Sequence, residues 1–430
     1  MPDVQARVLK GFRDYLPDTM LPRQRMLDRI AQTFESFGFA PLATPALEYA
    51  DILLGKYGDE GDKLLYRFED NGGRDVALRY DLTVPLARVV AMNGQLPRPF
   101  RRYQIAPVWR AEKPGRGRFR EFVQCDVDIV GVPDLMADAE CLAVGASVLR
   151  ALGVLDFELR VNNRKLLTGM LARLGIDEGP PALGVLRTVD KLPKIGEAAV
   201  RGLLATENGL ENKQIDGIFE FLGLDPSTLR DWFADSPIGR QGADELIELL
   251  KLADELGVGD KVRIDLSIAR GLDYYTGTIY ETFLTALEGL GSVMSGGRYD
   301  ELLTLFGGPA VPAVGISLGV DRLLAGLLEL GVVQATSTPS RVLVTVFDAA
   351  SRPHSYRCAA ALRAGGVAAE VFPGAPRMKK QLAHANRMGI PFAVIVGPDE
   401  AARGEVQLKD LRSGEQAAVS LAALIERTHR

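Results

Sequence analysis

Residues 98–129 read RPFRRYQIAPVWRAEKPGRGRFREFVQCDVDI. Val108, Trp109 and Arg110 have strand character, residues 113–118 (Lys-Pro-Gly-Arg-Gly-Arg) form a Gly/Pro turn, and residues 119–129 return to a strand pattern, which predicts an antiparallel hairpin. The segment 98–120 holds eight basic residues, Arg98, Arg101, Arg102, Arg110, Lys113, Arg116, Arg118 and Arg120, against the single acid Glu112. A charge run is commonly a solvated face. On a hairpin whose tip and inner edges are cationic it suits a polyphosphate instead, because the guanidinium fork binds phosphate oxygens bidentately and Glu112 can accept from an amine. On the returning strand Phe122, Gln124, Asp126 and Asp128 share one face, since successive side chains alternate.

A second segment, RGLDYYTG at 270–277, follows a strand-like run at 262–268 and presents a guanidinium and two phenols where a buried strand ends. A third, GISLGVDR at 315–322, alternates small and apolar residues and places Arg322 at a helix start, where an Asp-Arg pair commonly serves as a cap or ion pair. The sequence holds neither a GxxxxGK[ST] loop nor a GxGxxG turn after a strand. A phosphate site would therefore be built from arginines on antiparallel strands. The histidines are His354, His384 and His429, so a His-dependent triad is excluded from the first 353 residues. Cys125, Cys141 and Cys358 are far apart and form no CxxC pair, which argues against a disulfide framework or a zinc site and for thiols in a reducing compartment.

The 430 residues, 47% of them hydrophobic, suggest two or three domains. Residues 22–37 carry Met26, Leu27, Ile30, Ala31, Phe34 and Phe37 at helical spacing before Gly38. Residues 42–129 read as short strands of an antiparallel sheet, residues 163–260 as a leucine-rich helical insertion broken at 179–181 and 225–226. Strand patterns return at 262–283 and 311–318, followed by a helix at 321–330 and a charge-poor linker at 331–340. Beyond it the apolar runs VLVTVF, VAAEVF and FAVIVG alternate with helical segments, which predicts a small α/β domain with largely parallel strands and makes the whole chain α+β. From Arg341 onward 13 Lys and Arg face 8 Asp and Glu, against 38 and 48 in the residues before, a balance compatible with docking a polyanion. No apolar stretch approaches a membrane span and the N-terminus lacks the apolar core of a signal peptide, so a cytoplasmic location is expected.

The Arg110-x-Glu112 hairpin, the GxSxGxDR segment at 315–322 and the Pro45-x-x-Glu48 region resemble motifs 2, 3 and 1 of class II aminoacyl-tRNA synthetases. RGLDYYTG at 270–277 and SGGRYDEL at 295–302 are similar to the two histidine signatures of the histidyl-tRNA synthetase family, and KGFRDYLPD at 10–18 and DKLPKIG at 190–196 match it too. The resemblance implies a catalytic domain in two parts, 1–162 and 261–330, an insertion at 163–260, a linker at 331–340 and an anticodon-binding domain at 341–430. It implies that Arg110 holds the α-phosphate of ATP, Glu112 the adenine amino group and Arg118 with Arg322 the β- and γ-phosphates, with Phe122 stacked on adenine and Arg270 neutralising charge during attack. Asp81, Thr83 and Gln124 would hold the amino group of histidine. Asp128 and Tyr274 would read its imidazole, and Tyr275 would complete the wall. Asp81 and Thr83 are expected on one strand face by parity. The implied partners are ATP with Mg²⁺, L-histidine, tRNA(His) and a second copy of the chain through motif 1, with no protein-bound zinc and no membrane. LRYDLTVPLAR at 78–88 and the KPGRGR turn resemble the eukaryote-like branch of the family, with Asp81 where many members have Glu. The alternative reading is the related regulatory subunit of ATP phosphoribosyltransferase, a group that typically lacks the C-terminal domain and has eroded ATP-site arginines, whereas this chain keeps both.

Overall fold

The computed structural model describes residues 5–56, 61–115, 117–269 and 274–429. The first unit, Met1–Arg13 with Met26–Val332, is built on strands β1 (Ala40–Pro41), β2 (Leu47–Tyr49), β3 (Arg67–Glu69), β4 (Asp75–Leu78), β5 (Phe100–Trp109), β6 (Glu121–Val130), β7 (Phe157–Asn163), β8 (Val262–Ile264), β9 (Thr278–Leu284), β10 (Met294–Arg298) and β11 (Ala313–Gly319). The expected hairpin is β5–β6, in register from Phe100 opposite Val130 to Trp109 opposite Glu121, with Gly117 at φ 64° in the turn. β11 docks on the other edge of β6 and sets Gly315 opposite Asp128, Ser317 opposite Asp126 and Gly319 opposite Gln124.

The resulting sheet has the order β1-β5-β6-β11-β10-β9-β7-β8. It is antiparallel throughout except for the parallel pairs β1/β5 and β7/β8 at its edges. The helix Met136–Ala151 packs on β6, β10 and β11 and is buried on nearly every side, as its Ala- and Val-rich composition requires. It is pinned by a buried ion pair between its Asp138 and Arg298 at the end of β10, and Arg298 also donates to the carbonyls of Val132 and Asp134.

Between β7 and β8 the described chain is helical, and the Gly/Pro breaks are helix starts. Gly179 at φ 86° precedes Pro180 and Pro181 at the head of Pro180–Val189, where missing N–H groups cost nothing. The helix Pro237–Glu255 returns against Arg164–Arg173 and Met136–Ala151, so the insertion and the sheet share packing. β8 ends at Ile264 rather than running to 268, because the Asp265 carboxylate accepts from both the N–H and the hydroxyl of Ser267 and turns the chain.

Residues 42–92 keep the expected short antiparallel strands but are helical at Ala50–Leu53 and Thr83–Met92. β2, β4 and β3 form a separate antiparallel sheet, and Thr83–Met92 is a helix despite its Val-rich sequence. Pro85 sits in its first turn, where it is tolerated, and Val84, Pro85, Leu86, Ala87 and Val90 fill the core around Ala50, Leu53, Tyr299 and Leu302. Burial outweighs β-propensity there.

The second unit, Asp14–Arg25 with Val333–Arg430, contains β12 (Val342–Val344), β13 (Ala369–Val371), β14 (Phe392–Ile395), β15 (Glu405–Asp410) and β16 (Gln416–Ser420) in the order β13-β12-β14-β15-β16. The three apolar runs are parallel, joined through the helices Arg352–Ala364 and Met378–Met388. The expectation of a largely parallel sheet is corrected by the antiparallel hairpin β15–β16, whose half-buried β15 and mostly exposed β16 lack a continuous apolar run.

At Gly296 in β10 an added Cβ would lie 2.1 Å from the carbonyl oxygen of Gly315 on β11 and 2.6 Å from the Tyr280 ring. Gly296→Ala is expected to destabilise the protein by about 1–3 kcal/mol through overpacking. Urea denaturation followed by circular dichroism measures it, and an unchanged midpoint would refute the close approach.

Candidate active site

Two adjoining cavities open over the face formed by β6, β11, β10 and β9. One, of about 210 Å³, is lined by Arg110, Glu112, Arg118, Phe122 and Arg322. The other, of about 420 Å³, is lined by Asp81, Thr83, Tyr274, Tyr275 and Tyr280. Arg110, Arg118, Gln124, Glu281, Ser295 and Ser317 line both, so a group bound in one meets a group bound in the other at these residues.

The hairpin positions the cationic wall. The Arg110 guanidinium donates to the Tyr80 carbonyl at 3.1 Å and lies 4.3 Å from the Tyr80 ring centroid and 5.2 Å from that of Phe122. Arg118 ion-pairs with Glu112 at 3.3 Å across the turn. At the start of the helix Val320–Glu329, Asp321 takes the structural part anticipated for an Asp-Arg pair, pairing with Arg13 at 3.0 Å and accepting from the Val123 N–H at 3.0 Å. Arg322 faces the cavity and donates to the Ser292 carbonyl at 2.6 Å.

Among the described residues, other members of the basic run do not line the phosphate-sized cavity. Arg101 pairs with Glu140, and Arg120 donates to the carbonyls of Glu112 and Lys10. Arg102 is fully buried opposite Asp128 in the β5–β6 register and ion-paired to it at 2.7 Å. Asp128 also accepts from the Tyr299 hydroxyl and lies behind the described lining of the two cavities. Asp81 and Thr83 do come together, by another route than strand parity: Asp81 accepts from the Val84 N–H at 3.1 Å and so caps the helix that Thr83 begins. The Thr83 hydroxyl in turn reaches the Tyr274 phenol. Tyr274 packs edge-on against Tyr275 and Tyr299, at centroid distances of 5.1 and 5.9 Å. Burial pushes the phenols of Tyr274 and Tyr275 up, so both remain neutral donors. Arg270 lies outside the described residues.

Glu281, Ser295 and Ser317 were not singled out by the sequence, nor were Asp190 and Lys194, which line the tyrosine-walled cavity. The last two fall in the DKLPKIG match at 190–196, the one signal that pointed at them. Glu281 sits in the apolar-rich strand TIYETFL, where its period-two position opposite Ser295 is legible only once β9 and β10 are paired. Asp126 is buried behind the cavity, and desolvation pushes its carboxyl up to about 7, assisted by Asp128 and Asp81 and opposed by Arg102 and a hydrogen bond from Ser317.

An antiparallel sheet that carries a cationic hairpin, a second arginine at a helix start and a tyrosine-walled cavity is the architecture of a class II aminoacyl-tRNA synthetase. The family model described as histidyl-tRNA synthetase matches residues 11–323, and one described as anticodon binding domain matches residues 341–429. The chain is 44% identical to a histidine–tRNA ligase of Rhodopirellula baltica over 98% of each sequence, and 42% identical to that of Aeropyrum pernix over 99% of this chain and 98% of the relative. It superposes on the crystal structure of histidyl-tRNA synthetase from Nostoc sp. PCC 7120 with a TM-score of 0.89, 37% identity and full coverage of both chains. A Bacillus halodurans protein described as an ATP phosphoribosyltransferase regulatory subunit/histidyl-tRNA synthetase shares the fold, with a TM-score of 0.71 at 22% identity. The chain belongs to the histidyl-tRNA synthetase family.

Asp126 yields a test of the buried network. Its native carboxyl holds a proton up to about pH 7, whereas the unfolded chain releases it near its ordinary value of 3.8. This contribution to stability is present below the unfolded value and is lost as pH rises through about 7. Between about pH 5 and about pH 8 the wild type is expected to lose stability relative to Asp126→Asn. Urea titrations of both proteins at each pH measure the difference, and a gap independent of pH would show that Asp126 titrates normally.

Proposed function

We propose that the protein is a histidine–tRNA ligase that activates L-histidine with ATP and transfers it to tRNA(His). The observation that carries this reading is the junction of the two cavities at Arg110 and Gln124. A carboxylate held from the tyrosine side is there brought against a phosphate held from the arginine side. The histidine carboxylate attacks the α-phosphorus of ATP, the bond to the β-phosphate oxygen breaks, and pyrophosphate leaves. The 3'-hydroxyl of the terminal tRNA adenosine then attacks the adenylate carbonyl and AMP departs. Positioning and charge neutralisation supply the catalysis, so no imidazole base is needed.

In this reading Arg110 and Arg270 neutralise the α-phosphate, Arg118 and Arg322 the β- and γ-phosphates, Phe122 stacks on adenine and Glu112 accepts from its amino group. Asp81, Thr83 and Gln124 hold the ammonium of histidine, and Tyr274 and Tyr275 close over the ring. Asp128 with Tyr274 reads the imidazole, and Tyr299, which donates to Asp128 and packs on Tyr274, steadies both. Glu281, at the junction, would offer an oxygen donor to a Mg²⁺ ion brought by ATP, which would supply a Lewis-acid counter-charge. Among the described residues no cluster of three or more His, Cys, Asp or Glu could hold a metal.

The modestly basic residues 341–430 are the part we assign to reading tRNA, and the cytoplasm is the proposed location. Among the described residues no helix is long and apolar enough to cross a membrane. A homodimer is supported by the β2-β4-β3 sheet, where Tyr49 and Phe68 both stand opposite Val76 and are 56% and 46% exposed.

Pyrophosphate exchange with each of the standard amino acids in turn should respond to histidine alone, and Arg110→Ala should lower that exchange by roughly 10²- to 10³-fold without unfolding the protein. Exchange driven by another amino acid, or none with any, would refute the assignment. A Tyr49→Asp variant should shift the mass measured by light scattering from dimer to monomer. A wild-type protein that is monomeric and fully active would contradict the dimer.

A further inference from the structure

The Gln124 side chain has a defined direction. Its amide nitrogen donates to the Ser317 hydroxyl at 2.6 Å, and its carbonyl oxygen is buried with no described group donating to it. Ser317 stands opposite Asp126 in the β6–β11 register and hydrogen-bonds the Asp126 carboxyl, while Gln124 is its diagonal neighbour on the same face. Gln124 and Ser317 line both cavities, and Asp126 is 2% exposed.

We infer that Asp126 is a positioning residue: through the single proton of Ser317 it fixes which way the Gln124 amide faces, and so makes the amino-acid cavity an acceptor of an ammonium group. This rests on the histidine-activating reading above. A hydroxyl has one proton to give. An ionised carboxylate can only accept, so the Ser317 proton points to Asp126 and the Ser317 oxygen is left as an acceptor toward Gln124. The amide must then turn its NH₂ to Ser317 and its oxygen to the cavity. An α-ammonium offers donors and no acceptor, so this orientation binds it and the flipped one repels it. The charged and titratable groups around Asp126 are Arg79, Arg102, Asp81, Asp128, Tyr274 and Tyr275, of which Asp81 and the two tyrosines line the amino-acid cavity and none stands between Ser317 and Asp126 in the β6–β11 register.

The test uses the full-length protein at about pH 8, above the titration of Asp126. Asp126→Asn keeps the side-chain size but replaces an acceptor by an amide, freeing the Ser317 proton to turn toward Gln124. Ser317→Ala removes the relay at a less buried position. In pyrophosphate exchange both variants should raise the KM for histidine by roughly 10- to 100-fold, the range of a charge-assisted hydrogen bond, with the KM for ATP little changed. The double variant should be no worse than the weaker single one. Binding of imidazolepropionate, which is histidine without its amino group, should be the same in all four proteins. Equal losses for histidine and imidazolepropionate, or an unchanged histidine KM in an active protein, would overturn the inference alone. Absence of histidine-dependent exchange in the wild type would overturn it together with the functional reading.

Discussion

The ion pair between Arg102 and Asp128 in the middle of the sheet is the constraint on which the site depends. Both groups are essentially removed from water, and they face each other across β5 and β6. Taking either charge out of water alone is costly, whereas the pair with the Tyr299 hydroxyl is tolerated, so loss of one partner strands the other at about 3–5 kcal/mol. The space beside Asp128 is as constrained as its charge. A Cβ at Gly315 would lie 2.1 Å from its carboxylate oxygen, so β11 must present a glycine at the position facing it. The small residues of GISLG are thus a cast of the carboxylate on the neighbouring strand.

From that pair the site is laid out by register. Moving outward along β6, Asp128 is followed by Asp126, Gln124 and Phe122, and β11 answers with Gly315, Ser317 and Gly319. The gradient is from buried ion pair, through a carboxyl balanced near neutrality, to an amide at the cavity wall and an aromatic ring beside Arg110. Asp128 and Asp126 are both buried, Gln124 reaches the cavity wall and Phe122 is half-buried. The open end faces the cavities, and the closed end holds the strands in the one alignment that keeps those side chains on a common face.

Arginines of one run accordingly divide into different tasks. Arg101 and Arg102 hold a helix and a strand, Arg120 ties the N-terminal segment to the turn through backbone carbonyls, and Arg110 with Arg118 faces the cavity. A guanidinium suits all of these because its planar fork serves a carboxylate, two carbonyls or a phosphate equally well. Net charge alone would have assigned them a single purpose.

Local chemistry made much of this protein legible from its sequence. The Gly/Pro turn between two alternating runs determined the β5–β6 hairpin, and the period of two placed Phe122, Gln124, Asp126 and Asp128 on one face. Turn and cap residues marked the helix starts of the insertion, and apolar runs marked the three parallel strands of the second unit. What followed from long-range packing was decided only by the tertiary structure. Thr83–Met92 has the composition of a strand and is a helix because its Val and Leu side chains complete a core made by distant residues. Arg102 looks like Arg110 in sequence and differs because it pairs with Asp128 in the sheet's interior. Glu281 and Ser317 come to line the cavities only when β9, β10 and β11 are laid beside β6. A residue's own sequence sets its conformation and its face, but which charge meets it across that face is a property of strand register, which no single segment contains.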